Sequence, residues 1–101
     1  MTYMFTCLNN VTSFDSYEDY AIKARKIVEK YGGKFLIASY KAFDLTVIEG
    51  KKPDIVNLAC FKNKEAFNSF YQSTEYQVLI KVRESFCESH IIMLEKSNEI
   101  K

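Results

Sequence analysis

The chain predicts an α+β domain: one antiparallel sheet with its helices on a single face. Three observations carry that expectation. Apolar residues switch between a period of two and a period of 3.6 along the sequence. The switches fall in the order β-α-β-β-α-β. The strands are apolar on both of their faces, so something beyond the helices has to cover the sheet.

The elements follow in order. Residues 2–8, TYMFTCL, are β-branched, aromatic and apolar, and predict a first strand. The turn NNVTS leads to Ser13, an N-cap for a helix over 14–31. Asp15, Glu18 and Asp19 lie in its opening turns, where carboxylates suit the helix dipole, and Lys26 and Lys30 lie towards its end. Phe14, Tyr17, Tyr20 or Ala21, Ala24, Ile27 or Val28, and Tyr31 recur at helical spacing.

Gly32 and Gly33 come next. A phosphate-cradling loop needs a strand before its glycines and a helix after, and EKYGGKFLI has the reverse order. Gly32 therefore reads as the left-handed residue that ends the helix, and Gly33 as the freedom to turn into a strand over 34–40. Residues 43–50, FDLTVIEG, also read as strand, closed by Gly50 and the turn at Pro53. Residues 54–61, DIVNLACF, are the most apolar strand. Asn63 caps a second helix whose buried side is Phe67, Phe70 and Tyr71. The capping-box pattern Thr74 to Gln77 starts a helical extension carrying Val78, Leu79 and Val82. SHIIMLE, residues 89–95, is the last strand. The single domain spans 1–96, and 97–101 is expected to be a flexible tail.

A β-α-β-β-α-β chain of this size is the ferredoxin-like split βαβ arrangement. In its sheet Tyr3, Phe5 and Cys7 alternate with Met4, Thr6 and Leu8, and Ile91 and Met93 with Ile92 and Leu94. Neither set is polar. A second copy of the chain is the simplest cover for the open face, which predicts a homodimer.

Bulk properties exclude several classes. With 101 residues the chain makes one domain, and a formal charge of +1 supplies no basic footprint for nucleic acid and no polybasic membrane anchor. No apolar run approaches a membrane span, and the N-terminus lacks the pattern of a secretory leader. Cys7, Cys60 and Cys87 are odd in number and widely spaced. They read as buried hydrophobes in a reducing compartment, which places the protein in the cytoplasm. No P-loop, dinucleotide fingerprint, nucleophile elbow or metal-ligand spacing occurs, so neither cofactor nor metal is expected.

The segments YEDYAIKARKIVEKYGGKFLI, IEGKKPDIVNLACF, FYQSTEYQVLIKVR and HIIMLE, running from Tyr17 to Glu95, resemble the domain of unknown function 1330 family. That family is a branch of the dimeric α/β-barrel superfamily. The resemblance implies a ferredoxin-like monomer whose sheet packs on its twin to form a barrel. The superfamily also holds cofactor-free monooxygenases, isomerases and decarboxylases acting on small organic compounds, a kinship of fold rather than of reaction. Two positions depart from the family pattern. Ala38 or Ser39 stands where members often carry an arginine, and His90 where an acidic residue is usual.

Four residues are candidates for a site. His90 is the only histidine and the only side chain that titrates near neutrality unperturbed. Its functional reading is a general acid or base at the mouth of a cleft between sheet and helices, and its plain reading is a strand-end residue. Asn57 interrupts the most apolar strand and needs hydrogen-bond partners, from a ligand or from the protein. Thr6 is similar but less informative, being an ordinary strand residue. Tyr17 and Tyr20 on the first helix, and Tyr71 and Tyr76 about the second helical junction, suit a pocket wall, with an apolar body and a polar tip, and suit an ordinary core edge as well; of these Tyr17 is the candidate for the site. Arg83 resembles a recurrent arginine of the family and is suited to an anionic group, or equally to a solvated surface ion pair or to the end of its helix.

Two functions are expected from this set. The first is a homodimeric, non-catalytic domain that binds a small organic ligand or a partner. The second is a cofactor-independent enzyme of monooxygenase, isomerase or decarboxylase type, with Tyr17, Asn57, Arg83 and His90 around one pocket.

Overall fold

The computed structural model describes residues 1–96; the expected tail at 97–101 lies outside the described residues. The elements are β1 (Thr2–Asn9), α1 (Phe14–Lys30), β2 (Lys34–Ala38), β3 (Ile55–Phe61), α2 (Lys64–Tyr71), α3 (Thr74–Glu84) and β4 (Glu88–Glu95). The sheet is antiparallel throughout, in the order β2-β3-β1-β4, as the split βαβ arrangement requires.

Local chemistry explains the helix boundaries. The Ser13 hydroxyl accepts from the Ser16 amide at 3.1 Å, and the Asn63 side chain accepts from the Ala66 amide at 2.9 Å, so both expected caps are in place. The third helix begins where expected, but its cap is Ser73, which accepts from the Tyr76 amide at 3.2 Å. Thr74 is the first helical residue, and Gln77 instead donates to the Tyr71 carbonyl.

The two glycines do different work. Gly32 has φ of 81°, the left-handed residue that follows a helix end. Gly33 has no such φ. Its place is decided by packing, because a Cβ there would sit 2.6 Å from a Phe61 ring carbon and 2.8 Å from Val28 Cγ1.

The strand expected over 43–50 does not form. Residues 39–54 make one long connection. The β-branched residues there supply propensity without a ladder, and propensity alone does not make a strand. β3 is already paired on both sides, by β2 and β1. The amides of Ala42 and Phe43 turn back onto the Ser39 carbonyl, with Lys41 at φ 60°, so the chain leaves the sheet at Ser39. Ile48 is then 88% exposed.

Alternation along β1 sorts the two faces. Thr2, Met4, Thr6 and Leu8 are buried against the helices, while Tyr3, Phe5, Cys7 and Asn9 are half-buried on the other side. The helix-facing core centres on Leu8, Val28, Ile55, Phe61 and Phe70, each with no exposed surface. The register across β3, β1 and β4 builds the open face in rows: Cys60–Tyr3–Leu94, Leu58–Phe5–Ile92 and Val56–Cys7–His90. Ile37 of β2 extends the middle row. Apart from His90 these rows are apolar or weakly polar, and Ile37, Ile92 and Leu94 are 42%, 47% and 50% exposed.

Candidate functional site

A cavity of about 180 Å³ lies between α1 and the helix-facing side of the sheet. Small residues leave the space: Ala21 and Ala24 on the inner face of α1 and Ala38 at the end of β2. Met4, Val28 and Phe70 add apolar wall, and Ile22 and Arg25, both exposed, stand at its outer margin.

One wall of the cavity is polar. Thr6 and Asn57 are direct partners across the β1–β3 ladder, both buried and both facing the helices. The Asn57 Nδ2 donates to the Tyr17 hydroxyl at 3.2 Å, and its Oδ1 accepts from the Ser39 amide at 3.3 Å. That amide is shared with the Val56 carbonyl, and the Ser39 hydroxyl accepts from the Val56 amide. Asn57 thus costs the strand little, because its amide is satisfied within the protein. Burial raises the Tyr17 pKa above its ordinary value, opposed by the Asn57 hydrogen bond, so the phenol is neutral at physiological pH.

Behind this wall is a second buried polar group. Arg83, 3% exposed, donates from Nη1 to the hydroxyls of Tyr20 at 3.1 Å and Tyr76 at 2.8 Å. Its Nε donates to Ser89 Oγ at 3.1 Å. The two phenols are 2.9 Å apart and hydrogen-bonded to one another. Among the described residues no carboxylate lies within ion-pair distance of Arg83. Burial works against its charge, but the two tyrosines outweigh it and hold the pKa above the usual value. Burial likewise drives Tyr76 upward, far beyond an ordinary phenol. Tyr20 and Tyr76 both contribute to the cavity wall, whereas Arg83 does not reach it.

Of the four candidates the structure brings Tyr17 and Asn57 together. Arg83 stands one side chain behind, connected through Tyr20 and Tyr76. His90 is elsewhere. From β4 it pairs with Cys7 of β1, which puts it on the open face of the sheet, exposed and on the opposite side from the cavity. The expected position at a cleft mouth is corrected by strand parity: residues of β4 alternate, and Ser89, not His90, points to the helices and meets Arg83. Sequence reasoning weighed Tyr20 and Tyr76 only as wall or core residues and did not join them, or Ser39, to this constellation. The tyrosines sit at ordinary core spacing, and nothing local marks them as partners of an arginine. Among the described residues no three metal-ligating side chains gather, and no helix is long and apolar enough to cross a membrane.

Several solved structures share the fold. The protein of unknown function RPA0582 from Rhodopseudomonas palustris is 20% identical, with a TM-score of 0.74 over 96% of this chain and 82% of that one. SnoaB, a cofactor-independent oxygenase from Streptomyces nogalater, is 11% identical with a TM-score of 0.60, covering 98% and 93%. A dimeric protein of unknown function and ferredoxin-like fold from Bacteroides fragilis is 10% identical with a TM-score of 0.51, covering 94% and 96%. At these identities the likeness establishes the fold alone. No curated protein matches the sequence. The model of the family described as "Domain of unknown function (DUF1330)" matches residues 1–97, nearly the whole chain, and the protein belongs to that family.

Proposed function

We propose that the protein is a homodimeric ligand-binding domain without catalysis of its own, holding one small organic molecule in each subunit. The observation that carries this reading is the cavity beside α1, apolar on most sides, with Thr6, Asn57 and Tyr17 gathered as a polar wall. A few convergent polar groups in an apolar pocket are the usual form of a small-molecule site. Catalysis is disfavoured because His90, the one histidine, is across the sheet, and Tyr17 and Tyr76 are kept protonated. The dimer is supported by the apolar open face, and by the ferredoxin-like neighbour from Bacteroides fragilis that is described as dimeric. Three free cysteines suit a reducing compartment such as the cytoplasm.

The test is a thermal-shift screen of small neutral, acidic and basic ring compounds, paired with sedimentation. A ligand in excess of its dissociation constant stabilises the folded state. Silence across the screen, or a species near the 11.8 kDa of one chain at micromolar concentration, refutes the corresponding half of the proposal.

A second reading, a cofactor-independent enzyme, draws on the same polar wall and on the fold shared with SnoaB. Oxygen uptake or a new product when a bound compound is incubated with the protein would replace binding by catalysis.

A further inference from the structure

The chemistry of the cavity wall says more about the occupant, granted the binding site proposed above. Size comes first. A dry cavity of about 150 Å³ admits benzene, so about 180 Å³ with an open margin admits one six-membered ring and a short substituent.

Polarity comes next. The Tyr17 oxygen accepts from Asn57, which leaves its own O–H proton to donate. Thr6 is 5% exposed and lines the cavity; its hydroxyl is tied to no described side chain, yet is not sealed from the cavity. Asn57 has a second amide N–H beyond the one given to Tyr17. The wall therefore offers three free neutral donors, the Tyr17 and Thr6 O–H groups and the second Asn57 N–H, beside acceptor lone pairs on the same hydroxyls; the one charge in the lining, Arg25, stands exposed at the outer margin, 3.6 Å from Glu29. A group that meets several donors has to be an acceptor.

Charge decides between kinds of acceptor. A cation would be repelled by the uncompensated Arg83 behind Tyr20 and Tyr76 and by Arg25 at the margin. A carboxylate seated on this wall would lose its hydration without gaining a buried cation in contact, since Arg83 is spent on the two tyrosines and Ser89 and Arg25 stands at the exposed margin beside Glu29. A neutral carbonyl loses least on entry and can accept from two donors at once.

We propose that the ligand is a neutral, single-ring-sized carbonyl compound, its oxygen held by the Tyr17 and Thr6 hydroxyls and its ring packed against Ala21, Ala24, Val28 and Phe70. Acetophenone, α-methylstyrene, 1-phenylethylammonium and benzoate are nearly isosteric probes for it. Titrated calorimetrically into the full-length protein, acetophenone is expected to bind about tenfold more tightly than α-methylstyrene, the difference of one to two net hydrogen bonds. The ammonium compound and benzoate should be weaker still. Thr6→Val and Tyr17→Phe should each lower acetophenone affinity about fivefold, and the double variant should erase its advantage over α-methylstyrene. If Tyr17→Phe does not fold, Thr6→Val alone carries the comparison. Equal binding of acetophenone and α-methylstyrene, or tighter binding of benzoate or the amine, overturns the carbonyl assignment while leaving a binding site. Failure of all four overturns the site itself.

Discussion

Replacing Gly33 by alanine separates steric from conformational demand at the helix–strand corner. The added methyl would lie 2.6 and 2.9 Å from two Phe61 ring carbons and 2.8 Å from Val28 Cγ1, where real contacts begin near 3.4 Å. Phe61 has no exposed surface and is held between Phe67 and Phe70, with ring centroids at 5.6 and 5.3 Å. It has no room to swing. Overpacking a filled core costs about 1–3 kcal/mol, and the upper half of that range applies to a ring locked between two others. In a domain of this size about 2–3 kcal/mol lowers Tm by roughly 10–20 °C. Gly32→Ala is the internal control. It meets nothing within 4 Å but inherits φ of 81°, a left-handed strain of about 1–2 kcal/mol. Thermal and urea unfolding followed by circular dichroism, at one fixed protein concentration because a dimer's stability depends on it, should rank Gly33→Ala as the more damaging. A Gly33→Ala protein within about 0.5 kcal/mol of wild type, or milder than Gly32→Ala, would refute the steric reasoning.

Three further outcomes are expected. Ile92→Lys places a charge in the middle row of the open face and should yield a monomer by sedimentation; Cys7, its neighbour in the next row, should then react with a thiol reagent faster than in the wild type. Ala24→Leu fills the cavity from α1 and should abolish any thermal shift by acetophenone while the fold is retained, as judged by an unchanged far-UV spectrum. Burial raises the folded-state pKa of Tyr17 and Tyr76 above the unfolded value of about 10, so their contribution is complete below pH about 10 and is lost as pH climbs through the folded values. Urea midpoints should therefore fall on going from pH 9 to 11, and less steeply in Tyr17→Phe; an identical slope in the variant would count against a buried neutral phenol.

Most of the fold was legible because its determinants are local. Ser13 and Asn63 announce helix starts through their own side chains, and Gly32 announces a helix end through its backbone freedom. The apolar character of both strand parities pointed to an apolar open face, and the rows of Tyr3, Phe5, Leu58 and Ile92 are the residues that line it. Where the sequence misled, pairing was the missing quantity. Residues 43–50 have the composition of a strand but pair with no strand of the sheet, and composition does not reveal pairing. Ser73 displaced Thr74 as a cap by one residue, the scale on which capping hydroxyls compete.

The candidate site divides in the same way. The oddity of Asn57 was visible at once, since a carboxamide in an apolar strand needs partners. That its partners are Tyr17 and the Ser39 amide, and that Thr6 lies directly opposite, follows from the β1–β3 register, which joins residues far apart in the chain. The side of the sheet on which His90 falls was likewise a matter of register: a shift of one residue exchanges the two faces. Arg83 could be read as a surface charge or an anion binder. Only the packing of α3 against α1 and β4 enclosed its guanidinium among Tyr20, Tyr76 and Ser89. The sequence by itself determined the helices and strands that form, the caps at Ser13 and Asn63 and the apolar faces, because those depend on neighbours a few residues away. The tertiary structure alone decided which polar side chains meet and where a cavity is left, because that depends on register and on the volume left between α1 and the sheet by Ala21, Ala24 and Ala38.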